Sequence, residues 1–380
     1  MHFPTLTLLA FACKTALAVP TPSRAAELPL PARTIFQLNE TVPDTWFENI
    51  ALRQNGDLLV TMLQPSASIY SIQQPLSGSP KASIINIDNA NGLLGIVETA
   101  PDVFAVVAGI FSAPAVRKYL VPLTTSRDLF REKRALAQRE YHLELLLLIL
   151  HVLAVNGTMA VWEVDLRGPE PTTRLITKMP EAGILNGVAL VPGCSPPAIL
   201  VADTAISRVW RVDITTGEYE TAAEIPEMLP APNATLPLGV NGVKTRGEYL
   251  YFSNSNLASI FRLPIDKRGV AARDAEAELV AKVDADIIDD FLIDEEGKYW
   301  VATNFQNTVV VAETGSSGVV VAGATTQLTV AGDTALALGR GTKEDKNIVY
   351  AVTGGTLNRP VNGTVSEPAK VVAIDRTGFK

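Results

Sequence analysis

The sequence predicts an all-β fold: a six-bladed β-propeller with four-stranded blades, its ring closed by an N-terminal strand. One observation is a phrase that recurs six times. Its copies start at Glu48, Leu94, Asn186, Asn241, Asp289 and Asp333, with separations of 46, 92, 55, 48 and 44 residues. A period of roughly 40–50 residues with four short strands per unit is the signature of a propeller. The other observation is a lone strand, Thr34-Ile-Phe-Gln-Leu38, ahead of the first copy. It is placed to complete the last blade beside Val371-Val-Ala-Ile374. A two-sheet sandwich would not repeat one phrase six times.

The first copy shows how each unit is built. Ile50-Ala-Leu52 reads as a buried strand and Gln54-Asn-Gly-Asp57 as a turn. Leu58 to Met62 is a second strand and Ser68 to Ile72 a third. Such a sheet cannot bury both faces alone, and radial stacking against its neighbours does so while leaving short, protected edges. Later copies keep the order. Asn186-Gly-Val-Ala-Leu precedes Ile199-Leu-Val-Ala-Asp-Thr, and Asn241-Gly-Val-Lys precedes Leu250-Tyr-Phe-Ser-Asn-Ser. Asp289-Asp-Phe-Leu-Ile precedes Tyr299-Trp-Val-Ala-Thr-Asn, and Asp333-Thr-Ala-Leu-Ala precedes Val349-Tyr-Ala-Val-Thr-Gly. The propeller is thus expected over residues 32–380.

The double-length gap has its own explanation. Residues 113–155 interrupt blade two: without them, Phe104 to Ser112 runs straight into Asn156-Gly-Thr-Met-Ala-Val-Trp-Glu-Val-Asp. The segment is basic at Arg127-Asp-Leu-Phe-Arg-Glu-Lys-Arg134 and Leu-rich from Leu143 to Leu153, and it predicts as helix. Two readings compete, a helical lid over one end of the ring and a mistranslated intron; the cleanly rejoining flanks favour the second. Its apolar run is too short to span a bilayer, so no stable membrane span is expected.

Residues 1–18 resemble a secretory signal, with a mostly apolar run from Leu6 to Leu17 and a small-x-small cleavage site at Ala16-Leu-Ala18. Lys14 interrupts the run. Residues 19–31 are Pro/Ala-rich and read as a flexible lead-in. Four Asn-x-Thr acceptors, Asn39, Asn156, Asn233 and Asn362, agree with secretion and with glycosylation. Removal of Cys13 with the signal leaves Cys194 as the single thiol, so packing rather than a disulfide must hold the fold.

Composition narrows the function classes. With 47% apolar residues, the 380-residue chain can bury a large core. The net charge of −8 and the lack of a basic patch interleaved with aromatics argue against a nucleic-acid partner. Nothing in the sequence specifies an oligomeric state. The three histidines are His2, His142 and His151, all outside the repeats. A Ser-His-Asp triad or a His-ligated metal therefore cannot be built from the propeller itself. What remains is oxygen chemistry. The residue that begins each innermost strand is expected to face the central channel, and all six except Leu94 carry a side-chain oxygen. Such a ring suits a hard cation such as Ca²⁺. The competing reading is that these Asn and Asp residues merely favour the entry turns.

Two stretches carry a resemblance. Val201-Ala-Asp-Thr-Ala-Ile-Ser-Arg-Val-Trp-Arg-Val-Asp213 and Asp294-Glu-Glu-Gly-Lys-Tyr-Trp-Val-Ala302 look like blade strands of the SMP-30/gluconolactonase-like propellers. That resemblance implies a metal held by Glu48, Asn241 and Asp289, with Asn186 holding substrate or water. The chain departs from the family pattern where Glu-x-Pro becomes Glu48-Asn-Ile and Pro-Asp-Gly becomes Ile288-Asp-Asp290. A closer likeness, through Glu48-Asn-Ile-Ala-Leu-Arg and Gly157-Thr-Met-Ala-Val-Trp-Glu-Val-Asp, is to the secreted fungal branch that includes hetero-Diels–Alderases. It implies a cycloaddition that joins a quinone methide to a humulene-type terpene in fungal meroterpenoid metabolism, with small apolar substrates and no required cofactor. The expected pocket walls are Trp46, Phe47, Phe291, Trp300 and Phe305, each with inter-blade packing as its competing reading. The expected donors are Asn49, Asn186, Asn241 and Asn304. The alternatives are a Ca²⁺-dependent lactonase or ester hydrolase, with Asp289 or Asp290 activating water, and a non-catalytic secreted binding propeller.

Overall fold

Short, strongly apolar strands separated by Gly- and Asn-containing turns fold here into six four-stranded antiparallel sheets. The computed structural model describes residues 26–41, 44–112 and 153–379. The signal expected at 1–18 lies outside the described residues. So do 19–25 of the lead-in and 113–152 of the interrupting segment, with His142 and His151.

Blade one runs through Trp46–Leu52, Leu58–Gln64, Ser68–Gln73 and Lys81–Asn86. Blade two is Gly92–Ala100, Val103–Gly109, Ala160–Asp165 and Thr172–Lys178, and blade three is Leu185–Leu190, Ala198–Asp203, Arg208–Asp213 and Tyr219–Ala223. Blade four is Val240–Arg246, Tyr249–Asn254, Ser259–Pro264 and Glu278–Lys282. Blade five is Phe291–Ile293, Tyr299–Ala302, Thr308–Ala312 and Val319–Gly323. Blade six is Asp333–Leu338, Ile348–Thr353 and Lys370–Asp375, with Ala32–Gln37 as its outermost strand. The N-terminal strand therefore closes the ring, pairing Ala32 with Ile374 and Gln37 with Lys370.

The segment before that strand is anchored too. Leu30 is buried, and its N–H donates to the Val321 carbonyl at 2.7 Å. Residues 26–31, expected to be part of a flexible lead-in, thus lie against blades five and six. In blade two the last described residues on either side of the interrupting segment pair with each other, Phe111 with Ala154 and Ser112 with Leu153.

The core lies between blades. One cluster packs Phe47, Ile50, Leu58 and Met62 of blade one against Tyr350, Val352 and Val371 of blade six. Another packs Phe252 and Phe261 of blade four against Ala198, Leu200 and Val209 of blade three. Both faces of the second strands are buried: every residue of Ala198–Asp203 and of Tyr299–Ala302 is inside.

Five of the six innermost strands share an irregularity that positions the site. The ladder slips between Phe47 and Asn49, between Leu93 and Ile96, between Leu185 and Val188, between Val240 and Val243, and between Asp333 and Ala335. The residues skipped include Glu48, Leu94, Asn186 and Asn241. A bulge leaves its extra residue unpaired and re-aims the side chain. Glycine makes room for the crowded backbones: a Cβ on Gly187 would sit 2.7 Å from the Gly242 Cα. Buried hydroxyls satisfy backbone carbonyls at the starts of these strands. Thr61 donates to the Leu94 carbonyl at 2.6 Å, Ser253 to Asp289 O at 2.8 Å and Thr334 to Phe47 O at 2.8 Å. Each bridges one blade to the next. Thr334→Val should cost about 1–2 kcal/mol, from an orphaned buried carbonyl. Urea denaturation would read this, with ligand affinity unchanged.

Candidate functional site

In a propeller blade the start of the first strand and the end of the second lie at the same mouth of the channel, because the two run antiparallel. This column of residues builds a cavity on the axis. From the strand starts come Glu48, Leu94, Asn186, Asn241 and Asp289, and from the strand ends Thr204, Ser255 and Asn304. Trp46, Leu63, Ile288 and Phe305 add apolar wall, and the loop before blade four lowers Leu236 and Leu238 onto it. The cavity measures about 130 Å³, below the ~300–1,000 Å³ usual for small-molecule sites, and opens to solvent at its mouth.

The polar atoms divide into engaged and unengaged. The Trp46 indole N–H donates to Glu48 Oε2, and Asn304 Nδ2 donates to Asp289 Oδ2 at 2.9 Å. Asn304 holds a left-handed backbone at φ 49°, which turns the chain sharply after blade five's second strand. Asn241 Nδ2 donates to Ser255 Oγ at 3.0 Å. Its Oδ1 is buried with no partner, and so is Thr204 Oγ1. The Asn186 amide lines the cavity without a hydrogen bond among the described residues. Unpaired buried polar atoms are rare enough in native structures to point towards a ligand, an ion or ordered water.

Burial drives the acid groups upward. The Asp289 carboxyl rises from its ordinary 3.8 to about 7, chiefly by desolvation; the Asn304 amide opposes this and Asp290 adds to it. Glu48 is pushed well above its ordinary value by burial and then by the negative charge of Asp289, against the Trp46 hydrogen bond. Burial in this apolar funnel thus favours the protonated form of both acids.

Several expected residues lie elsewhere. Asn49 and Asp290 do not line the cavity. One residue further along the strands, Asn49 Nδ2 donates to Asp290 Oδ2 at 3.0 Å, and Lys244 Nζ binds Asp290 Oδ1 at 2.6 Å. A Cβ on Gly242 would come within 2.2 Å of Asp290 Oδ1, so only glycine allows the carboxylate to pack this close to the neighbouring strand. Lys244 lines an opening at the strands' far ends with Val188, Leu190 and Leu292. Asp290 is thus engaged by Asn49 and Lys244 instead of lining the cavity.

Phe47, Phe291 and Trp300, expected as walls, are wholly buried between blades in three separate clusters. The Trp300 indole N–H donates to Asp294 Oδ2 at 3.0 Å within its own blade. Asp333, expected on the channel, is also wholly buried and does not line it; its carboxylate turns back to accept the Thr303 N–H at 3.1 Å. Of the expected walls and donors, Trp46, Phe305, Asn186, Asn241 and Asn304 do meet on the axis, with Glu48 and Asp289. Thr204, Ser255, Leu236, Leu238 and Lys244 were missed. The first two, with Asn304, stand in one column of the repeat, just past the second strand, and could have been found by aligning that column.

Among the described residues no three His, Cys, Asp or Glu side chains gather as a metal site. An oxygen set does converge, made of Glu48, Asp289 and the orphaned Oδ1 of Asn241. These donors fit a hard divalent cation, with water or substrate completing its shell. The four Asn-x-Thr acceptors Asn39, Asn156, Asn233 and Asn362 are all exposed. Among the described residues no helix is long and apolar enough to cross a membrane.

Fold and site together define a six-bladed propeller with a largely apolar cavity on its axis. No family profile matches the chain. It is 31% identical to a protein of Phoma sp named "Putative hetero-Diels-Alderase", over 94% of this chain and 96% of that one. It is 27% identical to "Putative hetero-Diels-Alderase asR5" of Sarocladium schorii, over 93% and 86%. Among solved structures, the X-ray structure of a "putative gluconolactonase" shares the fold at a TM-score of 0.51 and 13% identity, over 94% of this chain and 96% of that one. The chain belongs to the family of these "Putative hetero-Diels-Alderase" proteins.

Proposed function

We propose that the axial cavity catalyses a hetero-Diels–Alder cycloaddition between a quinone methide and a terpene alkene. One observation carries this reading. A free amide, Asn186, and an acid pair whose protonated form burial favours face one apolar funnel. The kinship described above supports it.

The chemistry asks little of the protein. The oxa-diene contributes four π electrons and the alkene two. One C–C and one C–O bond form, and nothing leaves. Trp46, Leu94, Leu236 and Phe305 would hold both partners stacked, and holding two reactants in attack geometry is worth several kcal/mol. Asn186 Nδ2 and an Asp289 or Glu48 hydroxyl would donate to the quinone-methide oxygen as its charge grows, which is the task of an oxyanion hole. Water, the competing nucleophile for a quinone methide, is excluded by the apolar walls.

One observation favours a second reading: the convergent oxygens of Glu48, Asn241 and Asp289. A hard cation held there would polarise an ester carbonyl, as a lactonase requires. Substrate would be oriented by Asn186 and shielded by the same walls. Chelation separates the two. With excess EDTA, the rate and the single enantiomer of the cycloadduct should persist. Abolition by EDTA and restoration by Ca²⁺, with lactone hydrolysis following the metal, would establish the hydrolase reading. Saturable ligand uptake without turnover in either assay would point to a binding propeller.

A further inference from the structure

We infer that the mouth carries a second compartment, beside the axial cavity and walled from it by Phe305, that binds the acidic, oxygen-bearing planar part of a ligand. Three chain segments build the partition, and each sends neighbouring residues to opposite sides. Ile287 lines the axial cavity while Asp286 lines the side compartment; Asn358 and Arg359 divide in the same way. In the third, Asn304 faces the axis, Gln306 the side, and the Phe305 ring both. The axial neighbours are apolar or amide, and the side neighbours include a cation.

The partition is held in place. Asn304 and Asn307 bracket Phe305 and Gln306 with left-handed backbones at φ 49° and 55°. Asn304 is tied to Asp289, and Asn307 Oδ1 accepts the Gly332 N–H at 2.8 Å. Gln306 Oε1 is buried with no partner, an acceptor waiting for a donor. The Arg359 guanidinium carbon lies 5.7 Å from the Phe305 ring centre, and among the described residues its one carboxylate partner is Asp286. Both side chains of that pair are about half exposed, at 42% and 59%. Such a pair contributes little to stability, so Arg359 is free to exchange Asp286 for a ligand anion.

Guanidinium fork, amide acceptor and aromatic face together recognise a planar ring that bears a carboxylate or acidic enol beside a hydroxyl. Assigning this ring to the quinone-methide precursor rests on the cycloaddition reading; the binding claim does not.

The probe is salicylate, titrated calorimetrically against the full chain, with benzyl alcohol as the neutral control. Salicylate should bind saturably. Arg359→Met should weaken it about tenfold, and Asp286→Asn, which frees the guanidinium, should tighten it. Benzyl alcohol should be indifferent to both changes. No saturable salicylate binding, or equal affinity in wild type and Arg359→Met, would overturn the inference. Arg359-dependent binding in a protein that makes no cycloadduct would leave this compartment standing and remove the cycloaddition reading. Intact turnover with Arg359-independent binding would do the reverse.

Discussion

Asp289→Ala is expected to lower the rate of cycloadduct formation over background by about 10²–10³-fold, the usual cost of removing one donor from an oxyanion-hole-type site. Asp289 lies in the cavity with its carboxyl raised to about 7 and one oxygen tied to Asn304. The alanine variant loses the acidic hydrogen and also leaves the Asn304 amide, in its left-handed turn, without its acceptor. Asp289→Asn is the informative companion. It cannot act as an acid but keeps an N–H donor on a side chain of the same size, so cycloaddition should fall by about tenfold at most. A metal-dependent hydrolase would respond otherwise. Removing an anionic ligand weakens the cation site, so the asparagine variant would be nearly as damaged as alanine. Chiral chromatography of the product reads both variants, since the uncatalysed reaction yields a racemate.

The thermal midpoint of the EDTA-treated protein should fall by several degrees between pH 5 and pH 8. Asp289 is raised from 3.8 to about 7, and Glu48 and Asp333 are raised well above their ordinary values by burial. Between about pH 4 and 7 the folded chain holds protons that the unfolded chain has released. Stability therefore declines as pH rises through that window, and above the folded values the loss is complete. For Asp289 alone the shift corresponds to an upper bound of roughly 4 kcal/mol. Asp102, held low by Arg53, acts in the opposite sense, its stability being lost only as pH falls below about 4. Asp333→Asn isolates one contributor outside the cavity and should flatten the fall. A midpoint that rises from pH 5 to pH 8 in EDTA would contradict the assignment of buried, protonated acids.

Much of this was legible in the sequence, for a physical reason. The repeat fixes the strand starts, and the bulges at those starts turn Glu48, Asn186 and Asn241 onto the axis. Asp289, at the matching position of blade five, joins them. What the pattern could not show was the face of a residue in a strand buried on both sides. Phe47 and Trp300 are as large as Trp46 and Phe305, but their strands lack the polar alternation that separates channel from inter-blade core. Asp333 occupies the expected register, yet its carboxylate found the Thr303 N–H behind the cavity. Leu236 and Leu238 come from a loop that belongs to no repeat, so periodicity carried no information about them. Lys244 was invisible for another reason: its value lies in neutralising Asp290, a contact across 46 positions between two blades.

The most direct measurement is a crystal structure of the chain with its own cycloadduct bound. The adduct should lie on the propeller axis, stacked between Trp46 and Phe305, with its ring oxygen in hydrogen-bonding range of Asn186 or Asp289. Density for the adduct anywhere other than the funnel, or Glu48, Asn186, Asn241 and Asp289 pointing away from the axis, would contradict the account.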